Sequence, residues 1–84
     1  MASTFEIQIA TPDRLIAQEQ ATEAQIPGKD GYMGILPDHA ALLSELGEGD
    51  LSFVSGGQTM HYKVTGGYVE VRDNHVRVLA DKAE

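Results

Sequence analysis

Cysteine is absent from this 84-residue chain, so no disulfide framework or thiolate metal site can supplement its core. A chain this short buries only about 60% of its unfolded surface. Basic residues are scarce too: six Lys and Arg (Arg14, Lys29, Lys63, Arg72, Arg77, Lys82) stand against thirteen acids, a formal charge of −7. Nucleic acids and anionic lipid surfaces demand a basic footprint to replace the counterions on their phosphates. Six scattered cations with few aromatics do not make one, so neither partner is expected. No apolar stretch approaches the roughly 20 residues that cross a bilayer. The opening MASTFEIQIA lacks the basic start and long apolar run of a signal peptide. The chain is expected to be soluble, or to reach a membrane only through a partner. An acidic surface favours solubility and steers towards basic partners without naming one.

What the chain does have is short apolar alternation. In FEIQIA, Phe5, Ile7 and Ile9 alternate with Glu6 and Gln8, the period-2 signature of a half-buried strand. TMHYKV repeats it, with Met60, Tyr62 and Val64 on one face and Thr59, His61 and Lys63 on the other. YVEV and HVRVLA continue it through Val69, Val71, Val76 and Val78, and LSFV adds a further β-favouring run whose Val54 is expected in the core. SGGQ, TGG and RDNH lie between these runs and read as tight turns that close hairpins. The second half is therefore a series of antiparallel strands.

The first half carries two local helix signals. In TPDRLIAQEQATEAQ, Thr11 could cap and Pro12 sits at the favoured first position. In PDHAALLSELG, Asp38 could cap, Leu42, Leu43 and Leu46 share a helical face, and Gly47 could stop. Propensity is a weak prior that tertiary context overrides, so mixed α+β and all-β both stay open on the residues alone. No linker, repeat or low-complexity segment divides the chain, and residues 1–84 are expected to form a single domain.

The chemistry-bearing residues give little. His39, His61 and His75 are spaced too widely for a local zinc motif. His39, fixed by Pro37 and Asp38, is the one candidate for acid–base work, yet no nucleophile or carboxylate constellation accompanies it. GKD at 28–30 lacks the upstream glycine and the Ser or Thr of a phosphate loop, and GEGDLS lacks the third glycine of a dinucleotide fingerprint. No catalytic residue, cofactor or metal is expected. Tyr32, Met33, Ile35, Leu36, Leu42 and Leu43 crowd a segment rich in breakers. Residue chemistry leaves core packing and a partner surface equally open there.

GKDGYMGILPDHAALLSELGEGDL, then VTGGYVEV, then VRVLADKAE resembles, in that order and spacing, the epsilon subunit of the rotary proton-driven ATP synthase, called delta in mitochondria. The resemblance runs from Phe5 to Ala83. It implies a flattened all-β sandwich of about ten short, mainly antiparallel strands, overriding both helix signals. It implies a non-catalytic central-stalk subunit that docks on the gamma subunit and the polar loops of the c-ring. Through gamma it would reach the catalytic head, coupling rotation to ATP synthesis without inserting in the membrane. Matching positions put Thr11, His39, Leu42, Leu43 and Ser44 at the gamma interface and Lys29, Asp30, Gly31 and Tyr32 on the c-ring-facing loop. Tyr32 departs from the family, which often has an acid there, and Ala41 from a frequent proline. The family's C-terminal helical hairpin is expected to be absent, since the sequence ends at Glu84. The implied location is peripheral, on the cytoplasmic face of a bacterial inner membrane or the matrix or stromal side in an organelle. Two other readings remain from the residues: a stand-alone β-domain binding protein, or a hydrolase-type enzyme using His39.

Overall fold

The computed structural model describes residues 3–84. Eight strands follow in order: β1 Phe5–Ala10, β2 Leu15–Ala21, β3 Glu23–Gly28, β4 Gly31–Ile35, β5 Leu42–Glu45, β6 Glu48–Ser55, β7 Gln58–Arg72 and β8 His75–Ala83. Among the described residues there is no helix, and so none long and apolar enough to cross a membrane. Hydrogen bonding runs without a gap through β2-β1-β8-β7-β6-β3-β4, with β5 added on β7. Every pairing is antiparallel except β1 with β8.

The path becomes two layers because β7 changes partner along its length. Its first part, Gln58 to Thr65, lies against β6. Its second part, Tyr68 to Val71, lies against β5. β8 accompanies both parts in one register. TGG, expected as a hairpin turn, is therefore a kink inside one 15-residue strand. Gly66 and Gly67 adopt φ of +64° and +111°, where L side chains are strained. A Cβ on Gly67 would also collide with the Leu79 carbonyl on β8. Strand continuity here is one reason the sandwich has eight strands and not about ten. The other two turns form as expected. Gly56–Gly57 closes β6–β7 and Asp73–Asn74 closes β7–β8, all four at positive φ, the twist that two-residue hairpins favour.

Both helix signals give way to strands, the first to a hairpin and the second to an edge strand on β7. Thr11 and Arg14 exchange backbone hydrogen bonds of 2.9 and 3.3 Å, so Thr11-Pro12-Asp13-Arg14 is the loop of the β1–β2 hairpin. Ala17, Ala21 and Ala24 then turn inward as small core residues of β2 and β3. In the second stretch, Leu42 packs against the core, Leu43 points out, and Leu46 is buried through a bridge to Gly28. The core is the inward set of both layers: Phe5, Ile7 and Ile9 on β1, Leu51 and Phe53 on β6, and Val64, Val69, Val71, Val76 and Val78 on β7 and β8. Val54, expected among them, is half-buried because Leu51 and Phe53 already take the inward positions of β6. Tyr62 lies nearly parallel to Phe53, ring centroids 6.0 Å apart, and seals that side. No polar or charged side chain of the described residues is buried. Any function is carried by the surface.

Candidate docking surface

Among the described residues six large hydrophobic side chains are exposed: Leu15, Tyr32, Leu36, Leu43, Tyr68 and Leu79. Strand register gathers four of them on one side. Tyr68 on β7 stands opposite Leu79 on β8, Leu79 opposite Ala10 on β1, and Ala10 opposite Leu15 on β2. Directly opposed residues share a face, so Tyr68, Leu79, Ala10 and Leu15 form an apolar row across four strands. Leu43 on β5 is paired with Glu70 and sits diagonally from Tyr68, extending the row at its edge. It is 71% exposed, the most open of the six. An apolar strip of this kind on a chain of charge −7 makes this face the candidate interaction surface.

Beside the middle of the row opens a groove of about 590 Å³, whose lining includes Tyr68 and Leu79 together with Thr11, Lys29, Glu45 and Gly66. Backbones converge there. Gly47 donates to the Pro27 carbonyl at 2.9 Å while Gly66 donates to the Gly47 carbonyl at 3.1 Å. A Cβ on Gly47 would stand 2.7 Å from the Gly28 carbonyl oxygen, so only glycine lets the β3–β4 turn lie this close. Lys29 in that turn reaches Glu45 on β5, Nζ to Oε2 3.3 Å, across the mouth of the groove. The pair is exposed, and its contribution is on the order of 0–1 kcal/mol.

The structure distributes the residues assigned from the sequence. Lys29 and Asp30 form the two-residue β3–β4 turn and Gly31 opens β4 at φ +136°. Tyr32 is on the other layer, covering Pro27, its cross-strand partner, and lying over Gly49. Its hydroxyl accepts the Asp50 amide at 3.1 Å. Leu43 is on the apolar row, Leu42 faces the core, and Ser44, paired with buried Val69, is half-buried. Thr11 sits at the groove end, beyond Ala10 and Leu79. His39 sits at the opposite end, because its neighbour Asp38 is bonded to Asn74 beside the start of β8. From His75 to Leu79 is roughly 13 Å at ~3.3 Å per residue, so Thr11 and His39 bracket the row and do not touch.

The histidines are tied locally. His39 Nδ1 donates to the Ala40 carbonyl at 2.7 Å, His61 Nδ1 lies 2.8 Å from Asp50 Oδ2, and His75 Nδ1 donates to the Asp73 carbonyl at 2.9 Å. Among the described residues no three His, Cys, Asp or Glu side chains converge as they would around a metal ion. Tyr68 and Leu79, the centre of the row, were not singled out from the sequence. The signal was present: once Val69, Val71, Val76 and Val78 point inward, period 2 sends their neighbours Tyr68 and Leu79 out.

Comparison with known proteins gives consistent matches. A family model described as ATP synthase, Delta/Epsilon chain, beta-sandwich domain covers residues 4–84. An ATP synthase epsilon chain from Solibacter usitatus is 51% identical over 84 residues, and the chain spans 63% of that relative's length. Among solved structures, a chain of the Euglena gracilis mitochondrial ATP synthase (OSCP, F1 and c-ring, rotational state 1) matches with TM-score 0.92 and 25% identity. The match covers 100% of this chain and 54% of the other. A chain from the central stalk and c-ring of the Tetrahymena thermophila mitochondrial ATP synthase matches in fold, with TM-score 0.78, 20% identity and coverage of 94% and 64%.

Proposed function

The chain belongs to the ATP synthase Delta/Epsilon family through its beta-sandwich domain, and on that premise we propose that it is a non-catalytic unit of the central stalk. Residues 1–84 act as one domain that docks on the gamma subunit and, with its tip, on the polar loops of the c-ring. It couples proton-driven rotation to ATP synthesis by holding parts together, and performs no chemistry itself. It sits peripherally, on the cytoplasmic face of a bacterial inner membrane or the equivalent organellar side. The observation that carries the reading is the family match over residues 4–84.

The geometry supports a division of labour. Leu43, Tyr68 and Leu79 offer gamma an apolar anchor, bracketed by Thr11 at one end and His39 at the other, with Leu42 and Ser44 backing the edge strand. A few desolvated anchors supply most of the energy of such an interface. The turn at Lys29, Asp30 and Gly31 is the projecting tip for the c-ring, beside the groove. Tyr32 contributes to that contact by fixing the turn on Asp50.

Mixing the purified chain with recombinant gamma subunit and following the elution on gel filtration tests this. A co-eluting complex is expected. No association at micromolar concentrations would refute the reading. Calorimetric titration with ATP, for which no binding is expected, tests the absence of chemistry separately.

A further inference from the structure

The turn that carries His39 is fastened to the β7–β8 hairpin by two side chains that each stand where a turn would ordinarily use glycine. His39 N–H donates to the Leu36 carbonyl at 3.2 Å, closing a four-residue turn with Pro37 second and Asp38 third. Asp38 has φ +65°, the third-position geometry of a type II turn, which favours Gly or Asn. Asn74 has φ +59° in the β7–β8 turn, again at a site that favours glycine. Glycine fills such geometry at Gly56, Gly57, Gly66 and Gly67, and Asp73, beside Asn74, is the other side-chain-bearing residue at positive φ among the described residues. At 38 and 74 the chain keeps side chains, and those side chains bond each other. The Asp38 amide donates to Asn74 Oδ1 at 2.7 Å, and Asn74 Nδ2 donates back to Asp38 Oδ1 at 3.0 Å. The Asn74 carbonyl also accepts the Glu6 amide at 2.9 Å, so this residue ties its own hairpin to two segments remote in sequence, the Asp38 turn and the start of β1.

We infer that Asp38 and Asn74 form a reciprocal clasp that pre-orders the Leu36–His39 turn against the β7–β8 hairpin, and so positions His39 for docking. The role of His39 in this inference rests on the stalk reading above. Without the clasp, the exposed segment between β4 and β5 is joined to the hairpin end by fewer bonds and samples more arrangements. Docking then selects the competent fraction, and the apparent dissociation constant rises by the inverse of that fraction. Asp38 and Asn74 are positioning residues; they act through the turn they hold.

Three variants test it: Asn74→Gly, Asp38→Gly and Asp38→Asn. Each glycine suits its positive φ, so the backbone keeps its path; Asn74→Gly removes both bonds, while Asp38→Gly removes only the one to its carboxylate and keeps the amide's bond to Asn74 Oδ1. Asparagine at 38 keeps both bonds, since its amide nitrogen and side-chain oxygen stand where those of Asp38 do. Amide hydrogen exchange on the chain alone should show the residue-38 amide exchanging at least tenfold faster in Asn74→Gly, and parent-like in Asp38→Asn. Affinity for gamma should fall about three- to tenfold in Asn74→Gly, less in Asp38→Gly, and be unchanged in Asp38→Asn, as read by biolayer interferometry. Unchanged exchange in Asn74→Gly overturns the clasp. Faster exchange with parent-like gamma affinity overturns its positioning role. Failure of the parent to bind gamma would strike the stalk reading and with it the docking role, while the exchange data would still decide whether the clasp exists.

Discussion

Leu79 gives the sharpest measure of the apolar row. It is 51% exposed in the free chain, so about half of its surface remains to be covered by a partner. Fully burying a leucine side chain stabilises by roughly 1.5–3 kcal/mol. Docking over Leu79 therefore has about 1 kcal/mol to gain from it, and Leu79→Ala should weaken gamma binding about fivefold, since 1.4 kcal/mol is tenfold. Leu79→Asp is harsher, because an unpaired carboxylate would be desolvated under the partner. That costs several kcal/mol, enough for a loss of about 100-fold or more. Lys63→Glu is the control, on β7 where it pairs with β6 and opposite exposed Asp50; it should change affinity by less than about twofold. The assay is biolayer interferometry against immobilised gamma, on variants whose melting temperatures match the parent. Equal weakening by Leu79→Asp and Lys63→Glu would refute the assigned face, even with gamma binding itself intact.

Other outcomes follow from the same geometry. His39→Glu should weaken gamma binding more than Lys63→Glu in the same assay, because it places a charge at the bracket of the row. Gly67→Ala should lower stability by at least about 2 kcal/mol, from strained φ and the collision with Leu79. At 4–8 °C per kcal/mol, a melt should fall by about 8–16 °C or more. Gly57→Ala, at positive φ but facing open space, should fall by less. Ile7→Ala, at a fully buried site, should cost about 2–5 kcal/mol in urea titration. The far-ultraviolet circular dichroism spectrum should be that of strand; a helix-dominated spectrum would contradict the fold.

Strands with one wet face were plain in the sequence because alternation survives there: β1, both parts of β7, and β8 are visible in their valines and isoleucines. The stretches that misled are those where local chemistry served a tertiary need. Ala17, Ala21 and Ala24 favour helix in isolation, yet their small size suits the positions where β2 and β3 meet the core. Leu42, Leu43 and Leu46 have helical spacing, but an edge strand and a bridge send them in different directions. TGG looked like a turn because glycine pairs close hairpins, and nothing local distinguishes a turn from a kink. That choice is made by β8, whose register continues past the kink from Ala80 to Lys82. The assigned residues were less legible than the fold, because which end of a strand lies beside which turn depends on pairings across the whole sheet. The separation of Thr11 from His39 is a property of the β1–β8 pairing, and no segment of sequence near either residue encodes it.

The unbroken hydrogen-bonded path from β2 to β4 has a mechanical meaning. Two layers that merely stack can slide, and a pull on one is felt by the other only through greasy contacts. Here β7 is a common rail: a displacement imposed at the Lys29 turn passes through β3 and β6 into β7, and thence to the strands bearing Tyr68 and Leu79. The turn at Lys29 and the strands bearing Tyr68 and Leu79 are thus parts of one continuous hydrogen-bonded ribbon, not of two separate plates.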